Sequence, residues 1–169
     1  MWGMATAASF DVTSTIDFQE VDNALNQARK EVGQRYDFKG ARADIELNTG
    51  EKKLTLTADD EFKMNALWEI VQTRLVRRGV PIKNFKAPDS EPAAGGTLRR
   101  VIDIQQGIPI DAAREIVKYL KGKKMKRVQA AIQADQVRVS APAKDDLQEA
   151  MQALRAHDFG VALQFGNYR

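Results

Sequence analysis

The sequence contains no cysteine and only one histidine, His157. Without cysteine there can be no disulfide bond, no thiol nucleophile and no thiolate metal ligand, and a single histidine rules out multi-histidine metal sites. His157 is the sole imidazole that could act as a general base, and the sequence shows no serine–histidine–acid set around it. We therefore predict a surface or structural role for His157.

Other hallmarks of common function classes are also missing. No apolar run approaches the roughly 20 residues that a membrane-spanning helix needs, and residues 1–9 lack the basic region and apolar core of a signal peptide. The chain has no glycine-rich phosphate loop, no metal-ligand spacing and no aromatic RNA-recognition signature in its central strands. We therefore expect a cytoplasmic protein that binds no membrane, is not an enzyme and uses no metal or cofactor.

Two similar halves are what the sequence does contain. On each side of a proline- and glycine-rich stretch the pattern runs strand, helix, strand, turn, strand, helix, strand. This order predicts an α+β protein with two ferredoxin-like (β-α-β-β-α-β) repeats, each a four-stranded antiparallel sheet with two helices on one face. The predicted units are 9–86 and 98–169, joined by a linker at 87–97.

The two predicted units are small, which limits the stability that each could have alone. Units of roughly 75 residues bury too little surface to be very stable alone. We therefore expect them to pack against each other or to share strands, and the first strands, 9–16 and 98–104, are the candidates for exchange between the units.

Acidic residues cluster at the start of two predicted helices. We interpret the clusters 59–61 and 145–146 as N-terminal caps and not as a metal site. Asp17 is predicted to cap the first helix and Asp59 the second, whose buried stripe is predicted to include Phe62.

Positive charge is unevenly distributed along the chain. Residues 1–95 carry 13 basic and 15 acidic side chains, whereas residues 96–169 carry 13 basic and 8 acidic ones. The second half therefore favours anions. A basic segment at residues 118–127 concentrates six cations without one acid: Lys118, Lys121, Lys123, Lys124, Lys126 and Arg127. It could attract a nucleotide phosphate or an RNA backbone, or it could be a solvated helix end whose lysines favour the helix dipole.

The segment Arg35–Gly40 alternates aromatic and charged residues. If it is extended, Tyr36 and Phe38 lie on one face and the charged side chains on the other. A base could then stack on an aromatic ring while Arg35 or Lys39 holds phosphate. The alternative is that both rings are buried under the helices and Asp37 pairs with a neighbouring cation.

Arginines at two further places are candidate ligand contacts. Arg99 and Arg100 open a predicted central strand and point to opposite faces, so one of them could grip phosphate or contact guanine. The alternative for this pair is a salt bridge to Asp103 or Glu115. At the end of the chain, a ligand could be closed over by Asn167, Tyr168 and Arg169.

Several motifs resemble those of one known family. The blocks are 9–12 (SFDV), 35–40 (RYDFKG), 128–133 (VQAAIQ), 137–140 (VRVS), 158–160 (DFG) and 163–165 (LQF). Together they resemble the YajQ family of bacterial nucleotide-binding proteins, over nearly the whole chain from Ser9. The end of the chain departs from the family pattern at Gly166 and Tyr168, where we expect a bulkier residue and phenylalanine.

The resemblance implies a pair of ferredoxin-like domains with exchanged first strands, in a cytosolic protein that binds nucleotides or RNA. It also implies cyclic di-GMP, or a GTP-like nucleotide, as the ligand and a transcription regulator as the partner. Our leading hypothesis is therefore a non-catalytic signalling effector, in which ligand binding favours one arrangement of the two units. The alternatives are an RNA- or tRNA-binding module and a scaffold for an acidic protein. The predicted nucleotide-binding residues are Arg35, Tyr36, Phe38, Lys39, Arg99, Arg100, Lys123, Lys126, Arg127 and Arg169.

Overall fold

Two compact units make up the part of the chain that the computed structural model describes, residues 7–123, 125 and 127–169. The central unit is Ile16–Gln105, and the terminal unit combines residues 7–15 with Gln106–Arg169. Each unit has one antiparallel sheet and two helices, which confirms the predicted α+β class. Lys124 and Lys126 of the basic segment lie outside the described residues.

The described elements follow the predicted order. They are β1 (Ala8–Thr13), α1 (Phe18–Gln34), β2 (Ala43–Asn48), β3 (Lys53–Ala58), α2 (Glu61–Arg77), β4 (Phe85–Lys86), β5 (Glu91–Pro92), β6 (Leu98–Ile104), α3 (Ile110–Gly122), β7 (Gln129–Gln133), β8 (Gln136–Ala141), α4 (Lys144–Arg155) and β9 (Gln164–Gly166). Short 3-10 helices occur at Tyr36–Phe38, Ile82–Asn84 and Ala94–Gly96.

The first strand of each repeat lies in the sheet of the other repeat. In the terminal sheet, whose order is β7-β8-β1-β9, Phe10 of β1 is opposite Val139 of β8. In the central sheet, whose order is β2-β3-β6-β4, Ile102 of β6 is opposite Leu54 of β3. The exchange means that each sheet is completed by a strand from the other half of the sequence.

Strand alternation builds the core of each unit. In the terminal unit Phe10 and Val12 are fully buried with Val137 and Val139 on the side of α3 and α4. The central core is built in the same way from β3 and β6 under α1 and α2. Because successive strand residues face opposite sides, the intervening polar residues lie on the faces away from the helices.

The helix caps follow the prediction at α1 and depart from it at α2 and α4. Helix α4 begins after Ala143 without a side-chain cap, and Asp145 and Asp146 lie in its first turn. Asp17 caps α1 by accepting from the backbone amides of Gln19 and Glu20. The prediction for α2 was wrong: Asp60 is its cap, and Asp59 instead accepts from the backbone N–H of Arg42 at 2.9 Å.

The start of α2 at Glu61 also changes which side chain of that helix faces the sheet. Met64 is fully buried, whereas Phe62, which was predicted to lie in the buried stripe, is 77% exposed. Residues two positions apart on a helix point in different directions, so the two side chains cannot share the stripe.

The stretch predicted as an irregular linker contains a strand. β5 pairs with β6, with Glu91 opposite Arg99. Gly95 and Gly96 have positive φ angles of 70° and 75°, a conformation that glycine adopts without steric cost. These two glycines therefore turn the chain back from β5 into β6.

Candidate functional site

The terminal sheet has one face that no helix of its own unit covers, because α3 and α4 pack on the other side. The side chains of this open face follow from the strand alternation. They are Ser9, Asp11, Thr13, Gln129, Ala131, Gln133, Gln136, Arg138, Ser140, Gln164 and Gly166. Among these residues no apolar side chain is larger than that of alanine. The open face therefore presents hydrogen-bonding groups.

An ion pair lies in the middle of the open face. Arg138 and Asp11 are opposite each other on β8 and β1, and Arg138 donates from Nε to Oδ1 at 2.9 Å and from Nη2 to Oδ2 at 3.4 Å. Asp11 is only 5% exposed, and the side-chain amide of Asn167 also donates to its Oδ2. The pair is thus fixed in place from two sides.

The surroundings of Asp11 favour its charged form. The hydrogen bond from Arg138 lowers the pKa of Asp11 below its usual 3.8, against the opposing effect of burial, and the positive charge of Arg169 acts in the same direction. The same hydrogen bond raises the pKa of Arg138. One cation therefore contacts this carboxylate and a second acts on it electrostatically, so positive charge is available to an anion at this part of the face.

A cavity of about 360 Å³ opens beside the ion pair. Its lining includes Thr13, Gln136, Gly166 and Asn167. A Cβ atom added at Gly166 would meet no atom within 4 Å, so the glycine leaves this space open. Small-molecule sites commonly occupy about 300–1,000 Å³, which places this cavity at the lower end of the range.

The two glutamines of the cavity differ in their freedom to bind a ligand. The side-chain amide of Gln164 is held by Thr15, whose hydroxyl donates to it at 2.6 Å and whose carbonyl accepts from it at 3.0 Å. The side-chain amide of Gln136 has no hydrogen-bond partner among the described residues. Gln136 therefore offers both a donor and an acceptor to an incoming ligand.

The lowered pKa of Asp11 predicts a pH dependence of stability. Because the folded-state pKa lies below the unfolded value, the carboxylate stabilises the fold at neutral pH, and this contribution is lost as the pH falls below about 4. We expect Asp11→Asn to be less stable than the wild-type protein at pH 7, with the difference shrinking progressively between pH 4 and pH 2. Urea unfolding across this range measures the effect. A difference that stays constant with pH would contradict it.

The described cations of the basic segment lie on the helical side of the terminal unit and not on the open face. Lys118 and Lys121 are exposed on α3, and the ammonium of Lys123 lies 5.1 Å from the ring centre of Tyr119. Arg127 is 3.7 Å from Asp146, in the first turn of α4. Lys126, also predicted as a binding residue, lies outside the described residues.

The strand exchange changes the distribution of charge between the units. Ile16–Gln105 contains 15 basic and 15 acidic side chains, whereas the rest of the sequence contains 11 basic and 8 acidic ones. The net charge of +3 therefore belongs to the sequence of the terminal unit and its N-terminal extension. The prediction placed Arg99 and Arg100 in the basic half, but β6 carries them into the central sheet.

The Arg35–Gly40 segment is not extended, so the condition for a common face of its two aromatic rings is not met. A 3-10 helix at Tyr36–Phe38 turns the rings apart because it has three residues per turn. Tyr36 is 87% exposed and Phe38 is buried. Arg35 forms a two-point contact with Asp37, at 3.0 and 2.8 Å, which lowers the pKa of Asp37. Lys39 is exposed.

Arg99 and Arg100 point to opposite faces, but their partners are not the predicted Asp103 or Glu115. Arg99 lies on the side of the central sheet away from the helices and pairs with Glu91 at 3.0 Å. Arg100 is on the helix side, 8% exposed, and donates to Glu61 of α2 at 3.0 Å. Arg100 is therefore enclosed by its own unit.

His157 follows the end of α4 and contacts side chains of α3. Its Nε2 lies 3.2 Å from Oε1 of Glu115, its ring stacks on Tyr119 at 4.4 Å, and its edge meets Phe159 at 4.6 Å. These contacts give His157 a structural position. The contact with Glu115 links residues that are 42 positions apart in the sequence, which is why no sequence motif indicated it.

The predicted binding residues are divided between the two units. Arg35, Tyr36, Phe38, Lys39, Arg99 and Arg100 lie in the central unit, and Lys123, Arg127 and Arg169 in the terminal unit. Arg169 is beside the open face, since its backbone exchanges hydrogen bonds of 3.0 and 3.1 Å with Ser9. Asp11, Gln136 and Arg138 were not among the predicted site residues, whereas Asn167 had been considered with Arg169 at the end of the chain. The polar positions of the alternating strands were the available signal for Asp11 and Arg138.

Two further site types are absent from the described part of the chain. It holds no group of three or more histidine, cysteine, aspartate or glutamate side chains that could bind a metal ion. None of its helices is both long enough and apolar enough to span a membrane.

The fold and the open face together describe a double ferredoxin-like protein with one polar, cation-bearing sheet surface. The family described as "Nucleotide-binding protein YajQ-like" matches residues 8–169. A "Nucleotide-binding protein" of Carboxydothermus hydrogenoformans is 45% identical over 166 residues, 98% of this chain and 100% of the relative. Proteins of the same name from Nitratidesulfovibrio vulgaris and Solibacter usitatus are 48% and 47% identical over 161 residues, covering 95% of this chain and 98% and 96% of the relatives. The chain belongs to the YajQ-like family of nucleotide-binding proteins, which confirms the resemblance found in its motifs.

Proposed function

We propose that this protein binds a guanine nucleotide on the open face of its terminal sheet, with cyclic di-GMP as the best named ligand and a GTP-like nucleotide as the next. The observation that carries the proposal is the ion pair of Arg138 and Asp11 beside the 360 Å³ cavity. The face provides hydrogen-bonding groups for a base, and the cavity provides room for one. We further propose that the protein acts in the cytoplasm by binding and not by catalysis.

Electrostatics favours the terminal unit for an anionic ligand. The central unit has no net charge, while the remainder of the sequence has +3. Arg138 balances the charge of Asp11, and Arg169, beside the open face, adds a positive charge that acts on the same carboxylate. A phosphate near Arg169 would be attracted here, and exposed cations of the basic segment would raise the local concentration of nucleotide.

The effector role requires a partner that distinguishes the bound from the free protein. A ligand shifts a conformational equilibrium only by as much as its affinity differs between the two states. We propose a protein partner, a transcription regulator being the first candidate, that binds the nucleotide-bound form more tightly. Co-purification of the partner with and without cyclic di-GMP measures this difference.

Calorimetry separates the named ligands. We expect cyclic di-GMP to bind the wild-type protein with micromolar or tighter affinity, and GTP to compete with it. A short RNA is not expected to displace the dinucleotide. The absence of heat with both guanine nucleotides, at low and at physiological salt, would overturn the proposal.

An RNA-binding function is the second candidate, and the basic segment favours it. Several exposed cations without an interleaved acid suit a phosphate backbone. If RNA is the ligand, log affinity falls linearly with log salt concentration, and polymer is preferred over mononucleotide. Strong salt dependence together with indifference to cyclic di-GMP would select this function.

A double substitution tests the part played by the basic segment. We expect Lys123→Ala/Arg127→Ala to weaken RNA binding about tenfold at low salt and to reduce the slope of the salt dependence by up to about 2, because each of the two cations can neutralise one phosphate. The charge-matched control is Lys30→Ala/Arg77→Ala, two exposed helical positions of the central unit. An equal loss of RNA affinity in both variants would show that overall charge alone is responsible.

A further inference from the structure

We propose that Arg138 is the specificity-determining residue of the open face and that it selects guanine over adenine. This proposal rests on the guanine-nucleotide binding proposed above and adds the side chain that recognises the base and excludes adenine.

Part of the Arg138 guanidinium remains free of protein contacts. Arginine has five N–H donors in a rigid fork. Asp11 engages the side edge of the fork, Nε and Nη2. No described residue accepts from Nη1, and the side chain of Arg138 is 30% exposed. The end edge, made of Nη1 and the second N–H of Nη2, is therefore available to a ligand.

The free edge of Arg138 matches the hydrogen-bond acceptors of guanine better than those of adenine. Two parallel N–H donors fit the O6 and N7 acceptors of guanine, which is the commonest specific contact of arginine with a base. Adenine presents N7 but has an amino donor at C6 in place of O6. An arginine edge that faces adenine would meet a donor where it needs an acceptor, so the face discriminates against adenine.

The side chain of Arg138 is held in a fixed direction. The buried carboxylate of Asp11 is itself held by Asn167, so the guanidinium cannot rotate freely away from the face. An arginine held in this way loses little further rotamer freedom on binding. Asp11 is thus a positioning residue, acting on the ligand through Arg138.

The ion pair of Arg138 and Asp11 has open space around it. Across the sheet, Ala131 is opposite Arg138 on one side and Gly166 is opposite Asp11 on the other. Both neighbours are small, and the cavity extends from Gly166 to Gln136. Gln136 and Asp11 both line this cavity, so the side-chain amide of Gln136 is available to a second polar group of a base bound beside the ion pair.

The test compares base selectivity in the full-length protein and in one variant. We expect wild-type protein to bind GMP about 5- to 150-fold more tightly than AMP, the ratio that corresponds to about 1–3 kcal/mol for one bidentate contact. 7-Deaza-GMP, which lacks the N7 acceptor, is expected to bind less tightly than GMP. Arg138→Gln is expected to abolish or reverse the preference, because glutamine pairs with N6 and N7 of adenine.

The matched control is Arg42→Gln. Arg42 also forms an arginine–aspartate contact, with Asp44 at 2.9 Å, but in the central unit. We expect this variant to retain the wild-type ratio of GMP to AMP affinity. An unchanged ratio in Arg138→Gln, or a wild-type protein that binds GMP and AMP equally, would overturn the assignment.

A second variant leaves the ion pair intact, in case Arg138→Gln fails to fold. Gly166→Leu places a side chain in the open space of the cavity, where a Cβ atom meets nothing within 4 Å and the backbone has no positive φ. We expect it to fold normally and to bind GMP at least tenfold more weakly. Normal GMP affinity in this variant would exclude the cavity. If wild-type protein binds no nucleotide at all, the proposed function fails as well, whereas binding without base selectivity removes only the role of Arg138.

Discussion

Replacing Phe10 by alanine is expected to lower the free energy of unfolding of the terminal unit by about 3–5 kcal/mol. Phe10 is fully buried, and its ring packs edge-on against that of Phe165 at 5.7 Å. Folded domains are typically stable by only about 5–15 kcal/mol, so this one substitution removes a large part of the total.

The location of the effect is as informative as its size. Phe10 precedes α1 of the central unit in the sequence, yet β1 pairs with β8 and β9. Hydrogen exchange should therefore show loss of protection in β8, while β2 and β3 keep theirs. Ile102→Ala in β6 should instead reduce the hydrogen-exchange protection of β2 and β3 and leave that of β8 unchanged.

An exposed phenylalanine provides the control for both measurements. Phe62 is 77% exposed on α2, and Phe62→Ala is expected to change stability by no more than about 0.5 kcal/mol. Loss of protection in β2 and β3 on replacing Phe10 would show that the first strands are not exchanged in solution.

The sequence was sufficient to predict most of the fold because its periodicities are local. Alternation in the strands and the 3.6-residue stripes of the helices each predicted an element near its observed position. The choice of sheet for the first strands is not local. The alternation in β1 and β6 identifies each as a half-buried strand but does not say which sheet it joins.

The candidate site was harder to predict for the same reason. Asp11 and Arg138 are separated by 127 positions, and they meet only because β1 joins the terminal sheet. The burial of Arg100, by contrast, could have been predicted from the strand alternation. This residue shares its side of β6 with Ile102 and Ile104, so its burial follows from the pattern, whereas its partner Glu61 depends on the packing of α2.

The second large effect concerns this buried arginine. We expect Glu61→Ala to lower the free energy of unfolding by about 1–3 kcal/mol, because it leaves the guanidinium of Arg100 without its carboxylate. Arg100 is 8% exposed, and Nη2 donates to Glu61 and to the hydroxyl of Ser90. The side chain of Glu61 is 55% exposed, so water can replace part of the lost interaction, and the lower end of the range is expected.

Removing the arginine itself should have a different result. Arg100→Met eliminates a buried charge together with Nε, which has no hydrogen-bond partner among the described residues. Replacing a buried ionic group by an apolar one of similar length is often neutral or stabilising. We therefore expect Arg100→Met to change the free energy of unfolding by no more than about 1 kcal/mol, a smaller loss than that caused by Glu61→Ala.

The contrast between the two variants distinguishes a structural from a binding role for Arg100, which the sequence had suggested as a nucleotide contact. If Arg100 is enclosed by its unit, Arg100→Met keeps the affinity for cyclic di-GMP measured by calorimetry, and urea unfolding shows only the small change. A loss of nucleotide affinity with unchanged stability would require α2 to move away from β6, exposing the guanidinium to the ligand. Because Glu61 is the partner that such a movement would release, Glu61→Ala would then strengthen nucleotide binding, and the two variants would change affinity in opposite directions.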